Sequence, residues 1–130
     1  MKVKIEEILF FPELKVEFKH KIQYKIKGFK HDKLYLDDDI HLSFYCPISK
    51  IKPAVKSISN ITEKEMQTLF KKFGDMMLLG SIEQLSDIIL IDCAGNLDTL
   101  PLRVCKELAK MNYDIFNWLE NNLAVELSCS

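Results

Sequence analysis

Lysines recur at Lys15, Lys19, Lys21, Lys25 and Lys27, always an even number of residues apart, while Leu14, Val16, Phe18, Ile22, Tyr24 and Ile26 take the intervening parity. His20 alone breaks the apolar set. A strand turns successive side chains to opposite faces, so the spacing predicts a β layer with an apolar inner face and an outer face of ammonium groups. Such a face suits phosphates or an acidic protein surface. Lysine is a point charge without the bidentate fork of arginine, and Arg103 is the only arginine in the chain, so contact is expected along a nucleic-acid backbone and not at base edges. Salt should weaken it. Lys50 and Lys52 are the expected extensions of this partner-binding surface. The plainer reading is that the lysines protect an exposed strand against edge pairing.

No other constellation spells a reaction. Cys93 sits in Asp92-Cys93-Ala94-Gly95-Asn96, whereas His20, His31 and His41 all lie in the first half of the chain, so no local signature supports a cysteine nucleophile. Asp37-Asp38-Asp39 lacks the alternating ligands, the glycine and the terminal glutamate of a calcium loop, and reads as a polar turn. The single glycine of Asp92–Asn96 does not make a phosphate loop. Cys46, Cys93, Cys105 and Cys129 stand 47, 12 and 24 positions apart with no Cys-x-x-Cys pair, which argues against zinc and for reduced, buried thiols. The expectation is no catalytic residue, no cofactor and no metal.

A chain of 130 residues, 48% hydrophobic and 28% charged, has the proportions of one soluble domain spanning 1–130. No apolar run approaches the ~20 residues of a membrane span, and the acids near the N-terminus do not suit a signal peptide, so a cytoplasmic location is expected. The net charge of −1 hides a polarity: residues 1–33 hold nine lysines against five acids, and residues 74–130 hold nine acids against three basic residues. Oriented contact with a charged partner would use such asymmetry.

The elements that must position the lysines follow from local signals. Val3 to Leu9 predicts a short leading helix stopped by Phe10-Phe11-Pro12. The run from Leu14 to Gly28 is long for one strand and is expected to turn near Lys19 to Lys21. Strands at Leu34–Leu36 and Ile40–Cys46 complete an antiparallel meander of about four strands, making 1–50 β-rich. Pro47 and Pro53 bracket an extended or loop-like segment. Thr62 and Glu65 form an S/T-x-x-E capping box ahead of an apolar stripe at Met66, Leu69, Phe70, Phe73 and Met77, so a central helix is expected there.

Asp87 to Asp92 reads as a short buried strand, and residues 60–130 are otherwise mostly helical. Pro101 is expected at the first position of a helix capped by Asp98 or Thr99. Asn112 should stop that helix, and a second short one over Ile115 to Leu123 would complete a helical hairpin that Phe116 and Trp118 anchor to the sheet. The fold class expected is α+β, the meander packed against the central helix and the C-terminal hairpin.

Several strings, Ile51-Lys52-Pro53, Ser59-Asn60-Ile61-Thr62, Leu100-Pro101, Tyr113-Asp114-Ile115-Phe116 and Leu123-Ala124-Val125, make the chain resemble small uncharacterised proteins of Bacteroidetes prophages and mobile elements. The similarity spans most of the chain and departs at Ala54-Val55-Lys56-Ser57, where those proteins carry a string richer in arginine and proline. The resemblance implies no catalytic residues. It implies a setting: a phage or mobile-element accessory protein that inhibits a host defence system by binding, as an anti-CRISPR protein docks on an RNA-guided nuclease or its guide RNA. The partner would then be a host protein or ribonucleoprotein. The alternatives are a replication, packaging or virion accessory protein, and a small enzyme in which Cys93 or Asp92 shares a dry pocket with a histidine.

Overall fold

The alternating run folds as two antiparallel strands, β1 (Lys15–Glu17) and β2 (Gln23–Lys30), with Val16 opposite Tyr24 and Lys15 opposite Lys25. The computed structural model describes residues 2–18, 23–37, 43–93 and 100–127. The expected turn near Lys19 to Lys21 therefore lies outside the described residues, as do Asp38-Asp39, Ala94–Thr99 and Cys129. A short helix α1 (Ile5–Ile8) leads into the sheet. After β2 the chain reverses through His31-Asp32, His31 taking a left-handed φ of 56°, into β3 (Lys33–Asp37), and β4 (Ser43–Pro47) pairs antiparallel with β3. These four strands form the expected meander.

The sheet does not stop there. The segment bracketed by Pro47 and Pro53, expected to be extended or loop-like, divides into a 3₁₀ turn (Ile48–Lys50) and a strand, β5 (Lys52–Val55), that lies antiparallel to β1 with Pro53 opposite Val16. A further short strand, β6 (Val125–Glu126), runs parallel to β5 from Ala54 onward. The result is a six-stranded mixed sheet in the order β4-β3-β2-β1-β5-β6. Pro53 is tolerated because β6 pairs only past it, so its missing N–H costs no bond on that side. Neither β5 nor β6 has a hairpin turn to announce it, which hides both from local reading.

Helix α2 (Glu63–Phe73) begins as its capping box dictates: the Thr62 hydroxyl accepts the Glu65 N–H at 3.1 Å and the Glu65 carboxylate accepts the Thr62 N–H at 3.0 Å. Met66, Leu69 and Phe73 from its stripe are buried. The Asp87–Asp92 strand expectation is overturned. Those residues belong to helix α3 (Ile82–Asp92), whose cap Ser81 accepts the Gln84 N–H at 3.3 Å. Leu85, Ile89 and Asp92 recur at helical spacing and are buried while Leu90 and Ile91 stay exposed, a division that period 2 cannot produce.

Helix α4 (Leu102–Lys110) starts one residue later than expected: Pro101 is the extended N-cap, and its carbonyl accepts the Val104 and Cys105 amides at 3.0 and 3.1 Å. Asn112 ends this helix as expected, with φ 63°.

The second helix of the C-terminal hairpin is replaced by turns. Asn117 and Asn122 adopt φ of 59°, which no right-handed helix accommodates. The Asp114 carboxylate accepts the Trp118 and Leu119 amides, both at 2.9 Å, holding this loop from one end. The Trp118 ring stacks on Phe11 at 5.3 Å, and Phe116 meets Phe10 edge-on at 5.5 Å. The aromatic anchor therefore grips the segment after α1, and Trp118 shares the core with the inner face of the sheet.

The fold is α+β, and one apolar core joins Val16, Tyr24, Leu34 and Leu36 of the sheet to Leu69, Leu85, Ile89, Val104 and Leu108 of the helices. Each such side chain contributes about 1.5–3 kcal/mol by leaving water. No helix among the described residues is long and apolar enough to cross a membrane.

Candidate nucleic-acid interface

Strand pairing fixes which side chains share the outer face. Lys15 stands opposite Lys25 on one side and Ala54 on the other, and Lys25 stands opposite Asp37. Lys15 and Lys25 are exposed, as expected. Both lie on interior strands of the sheet, so protection of an exposed edge does not account for them. Like charges directly opposite one another cost the sheet stability, an expense that an anion lying across them would offset.

Lys27 sits at a β-bulge: the register runs from Ile26 opposite Leu36 directly to Gly28 opposite Tyr35. It still reaches this face, because its Nζ lies 4.0 Å from the Asp37 carboxylate. The extra residue exchanges inner and outer positions for the rest of β2. Phe29 moves to the inner side opposite Leu34, and Lys30, opposite Lys33, joins the outer face. Lys30 and Lys33 were not expected there, because alternation counted without the bulge does not place Lys30 on the outer parity.

The β3–β4 pairing adds an aromatic platform to the same face. Tyr35 and Tyr45 are cross-strand partners on the outer side, their ring centroids 4.9 Å apart and their planes inclined by 42°. Tyr45 is 55% exposed. Beside them Gly28 leaves an opening, since a Cβ there would meet nothing within 4 Å. The sequence signal was present: each tyrosine is flanked by buried or half-buried apolar residues, Leu34 and Leu36 or Phe44 and Cys46, and so must point outward.

The remaining sites expected from sequence divide. Lys19 and Lys21 lie outside the described residues. Lys52 is exposed opposite Glu17 on β5. Lys50 ends the 3₁₀ turn and, with Lys52, lines a cleft of about 630 Å³ beside Lys2, Lys4, His31 and Asp32. They extend the positive surface, but around the β2–β3 turn and the N-terminal segment.

The cysteine chemistry considered from sequence finds no support in the geometry. Cys46, Cys93 and Cys105 are buried. Burial pushes the Cys93 thiol up to about 12, with Cys105, Asp114 and Asp92 adding to the rise, and burial followed by Asp92 raises Cys105. Thiols held this firmly protonated are poor nucleophiles. Among the described residues no three His, Cys, Asp or Glu side chains gather as metal ligands would. His31 is exposed at its turn, and His20 and His41 lie outside the described residues.

No family model matches the chain, and neither curated proteins nor solved structures yield a match. The surface must be interpreted from its own chemistry. Ammonium groups flanking a ring pair, Tyr45 exposed and Tyr35 half-buried, can neutralise phosphates and stack against bases, a combination tolerant of sequence.

Proposed function

We propose that the protein acts by binding, without catalysis, and that the outer face of its sheet holds a single-stranded nucleic acid. Supporting this is one observation above the rest: the Tyr35–Tyr45 pair, opened on one side by Gly28, lies amid Lys15, Lys25, Lys27, Lys30 and Lys33 on a face whose described carboxylates are Glu17 and Asp37. In the setting implied by the resemblance, the strand is the guide RNA of a host defence nucleoprotein, and the protein is a cytoplasmic inhibitor of the anti-CRISPR kind. The alternative, a replication, packaging or virion accessory protein, would use the same face on the nucleic acid of its own element.

The test is fluorescence anisotropy with a short single-stranded oligouridine across a salt series. The parent should bind with affinity that falls as salt rises, and Lys30→Gln with Lys33→Gln should make the log–log slope shallower by about 0.7 for each lost contact. Tyr45→Ala should weaken binding by about 1–3 kcal/mol while leaving that slope unchanged. Absence of binding at low salt, or variants indistinguishable from the parent, would sink the proposal. Capture from a host lysate with and without RNase then separates the guide-RNA setting from a purely protein partner.

A further inference from the structure

The acid-rich half of the chain gathers its positive charge in one place. Arg103, Lys106 and Lys110, the only basic residues between 74 and 130, are spaced by three and four and so lie along one face of α4. With Lys72 of α2 they line a groove of about 730 Å³, where four cations outnumber the two carboxylates of Glu6 and Glu107. Its floor is apolar, made by Leu9, Phe10, Pro12 and Phe73, and Leu9 is 58% exposed. Glu107 engages Lys72 at 3.4 Å and Lys110 at 3.6 Å. No ion pair or hydrogen bond engages Arg103 or Lys106 among the described residues, so both remain available to an incoming carboxylate.

A surface of the opposite character lies elsewhere on the same chain. From Phe73 to Leu102 there is no lysine or arginine, and this stretch holds most of the exposed large apolar side chains: Met76, Leu78, Leu90, Ile91 and Leu102. On α3, positions 83, 87, 90 and 91 share the outward face. Glu83 and Asp87 thus stand beside Leu90 and the 71%-exposed Ile91. Leu78, at the turn before α3, is 91% exposed.

We infer that the groove receives the α3 face of a second copy of this chain. Ile91 and Leu90 meet the Leu9–Phe10–Phe73 floor, and Glu83 and Asp87 meet Arg103 and Lys106. The two patches are different regions of the surface, so the contact is heterologous: each copy offers one groove and one helix face, and copies add head to tail into a ring or an open chain. Assembly depends on concentration, as any association of separate copies must, and its charge pairs make it sensitive to salt.

Sedimentation velocity with charge exchange decides the matter. The weight-average mass of the parent should rise with protein concentration and return to the monomer in high salt. Arg103→Glu with Lys106→Glu reverses the groove, and Glu83→Lys with Asp87→Lys reverses the helix face; all four positions are exposed, so both variants should melt like the parent. Each alone should remain a monomer. Mixed in equal amounts they should associate again, because the reversed groove of one accepts the reversed helix of the other. A parent that sediments as a monomer throughout, variants that associate alone, or a mixture that stays monomeric would each overturn the inference, the first leaving the groove to an acidic partner of another sequence.

Discussion

Tyr113 donates its hydroxyl to the Glu65 carboxylate across 48 positions of chain. The same carboxylate oxygen accepts the Thr62 N–H and hydroxyl, both at 3.0 Å, and the Lys56 ammonium lies 4.3 Å above the Tyr113 ring. One side chain thus ties the start of α2 to a residue three positions past the end of α4, beside the end of β5. Burial pushes Glu65 upward, but the Tyr113 and Thr62 hydrogen bonds and the Lys56 charge outweigh it and hold the carboxyl below its ordinary range.

A group depressed in the folded chain supplies stability that is fully present above its unfolded value and lost as pH falls through its folded one. Tyr113→Phe should therefore lower stability by about 1 kcal/mol near neutral pH. The deficit should close in acid, once Glu65 is protonated in both proteins. Urea unfolding at neutral and acid pH checks this, and a deficit that persisted in acid would reduce the contact to ring packing.

Asp114 carries the opposite sign. Burial raises its carboxyl, and the amides of Leu119, Trp118, Phe116 and Asn117 recover only part of that rise. The folded chain therefore holds this proton more tightly than the unfolded chain, and stability declines as pH climbs from the unfolded value through the folded one. Asp114→Asn should abolish that decline yet cost about 1–3 kcal/mol, because an amide can accept one of the two N–H groups but presents a donor to the other. Denaturation over a pH series would reveal both effects.

Trp118→Ala should cost about 3–5 kcal/mol, since the ring is buried against Phe11. Thermal unfolding of the variant provides the measurement. An unchanged midpoint would mean that the C-terminal loop closes without it.

Lys15→Glu should separate binding from folding. It turns the like-charged Lys15–Lys25 pair into an attractive one and should add about 0.2–1 kcal/mol of stability. Oligouridine affinity should fall in the same variant. A change that stabilised the protein and left binding untouched would remove Lys15 from the interface.

Native Cys93 and Cys105 should resist alkylation at neutral pH, reacting only as fast as the protein opens. Peptide mapping after timed iodoacetamide treatment gives the rates. Rapid labelling of Cys93 without denaturant would restore a reactive thiol to consideration.

Local signals were legible where neighbours in sequence are neighbours in space. The Thr62–Glu65 box, the α2 stripe, the parity of residues 14 to 26 and the Asn112 stop each act within a few residues. The β-branched run of α3 resembles a strand on its own, and its helical state shows only in the upstream cap, Ser81, and the helical spacing of Leu85, Ile89 and Asp92. The C-terminal loop depends on Asp114 capturing amides four and five residues ahead, which competes with helix formation but leaves the apolar spacing helix-like. β5 and β6 owe their state to partners far along the chain. At the interface, the lysine face could be read from parity alone and the outward tyrosines from their apolar neighbours, whereas the place of Lys30 required the bulge at Lys27, a pairing feature that no single strand displays.

The position of β6 has a bearing on how the chain matures on the ribosome. β5 is interior to the finished sheet, yet its second edge has no partner until Val125 and Glu126 have been synthesised. A nascent chain therefore carries an open strand edge through the translation of all of α2, α3 and α4, and in crowded polysomes the β6 segment of one chain can complete the sheet of its neighbour. Pro53 shortens the vulnerable stretch, because it offers no N–H to an intruding strand.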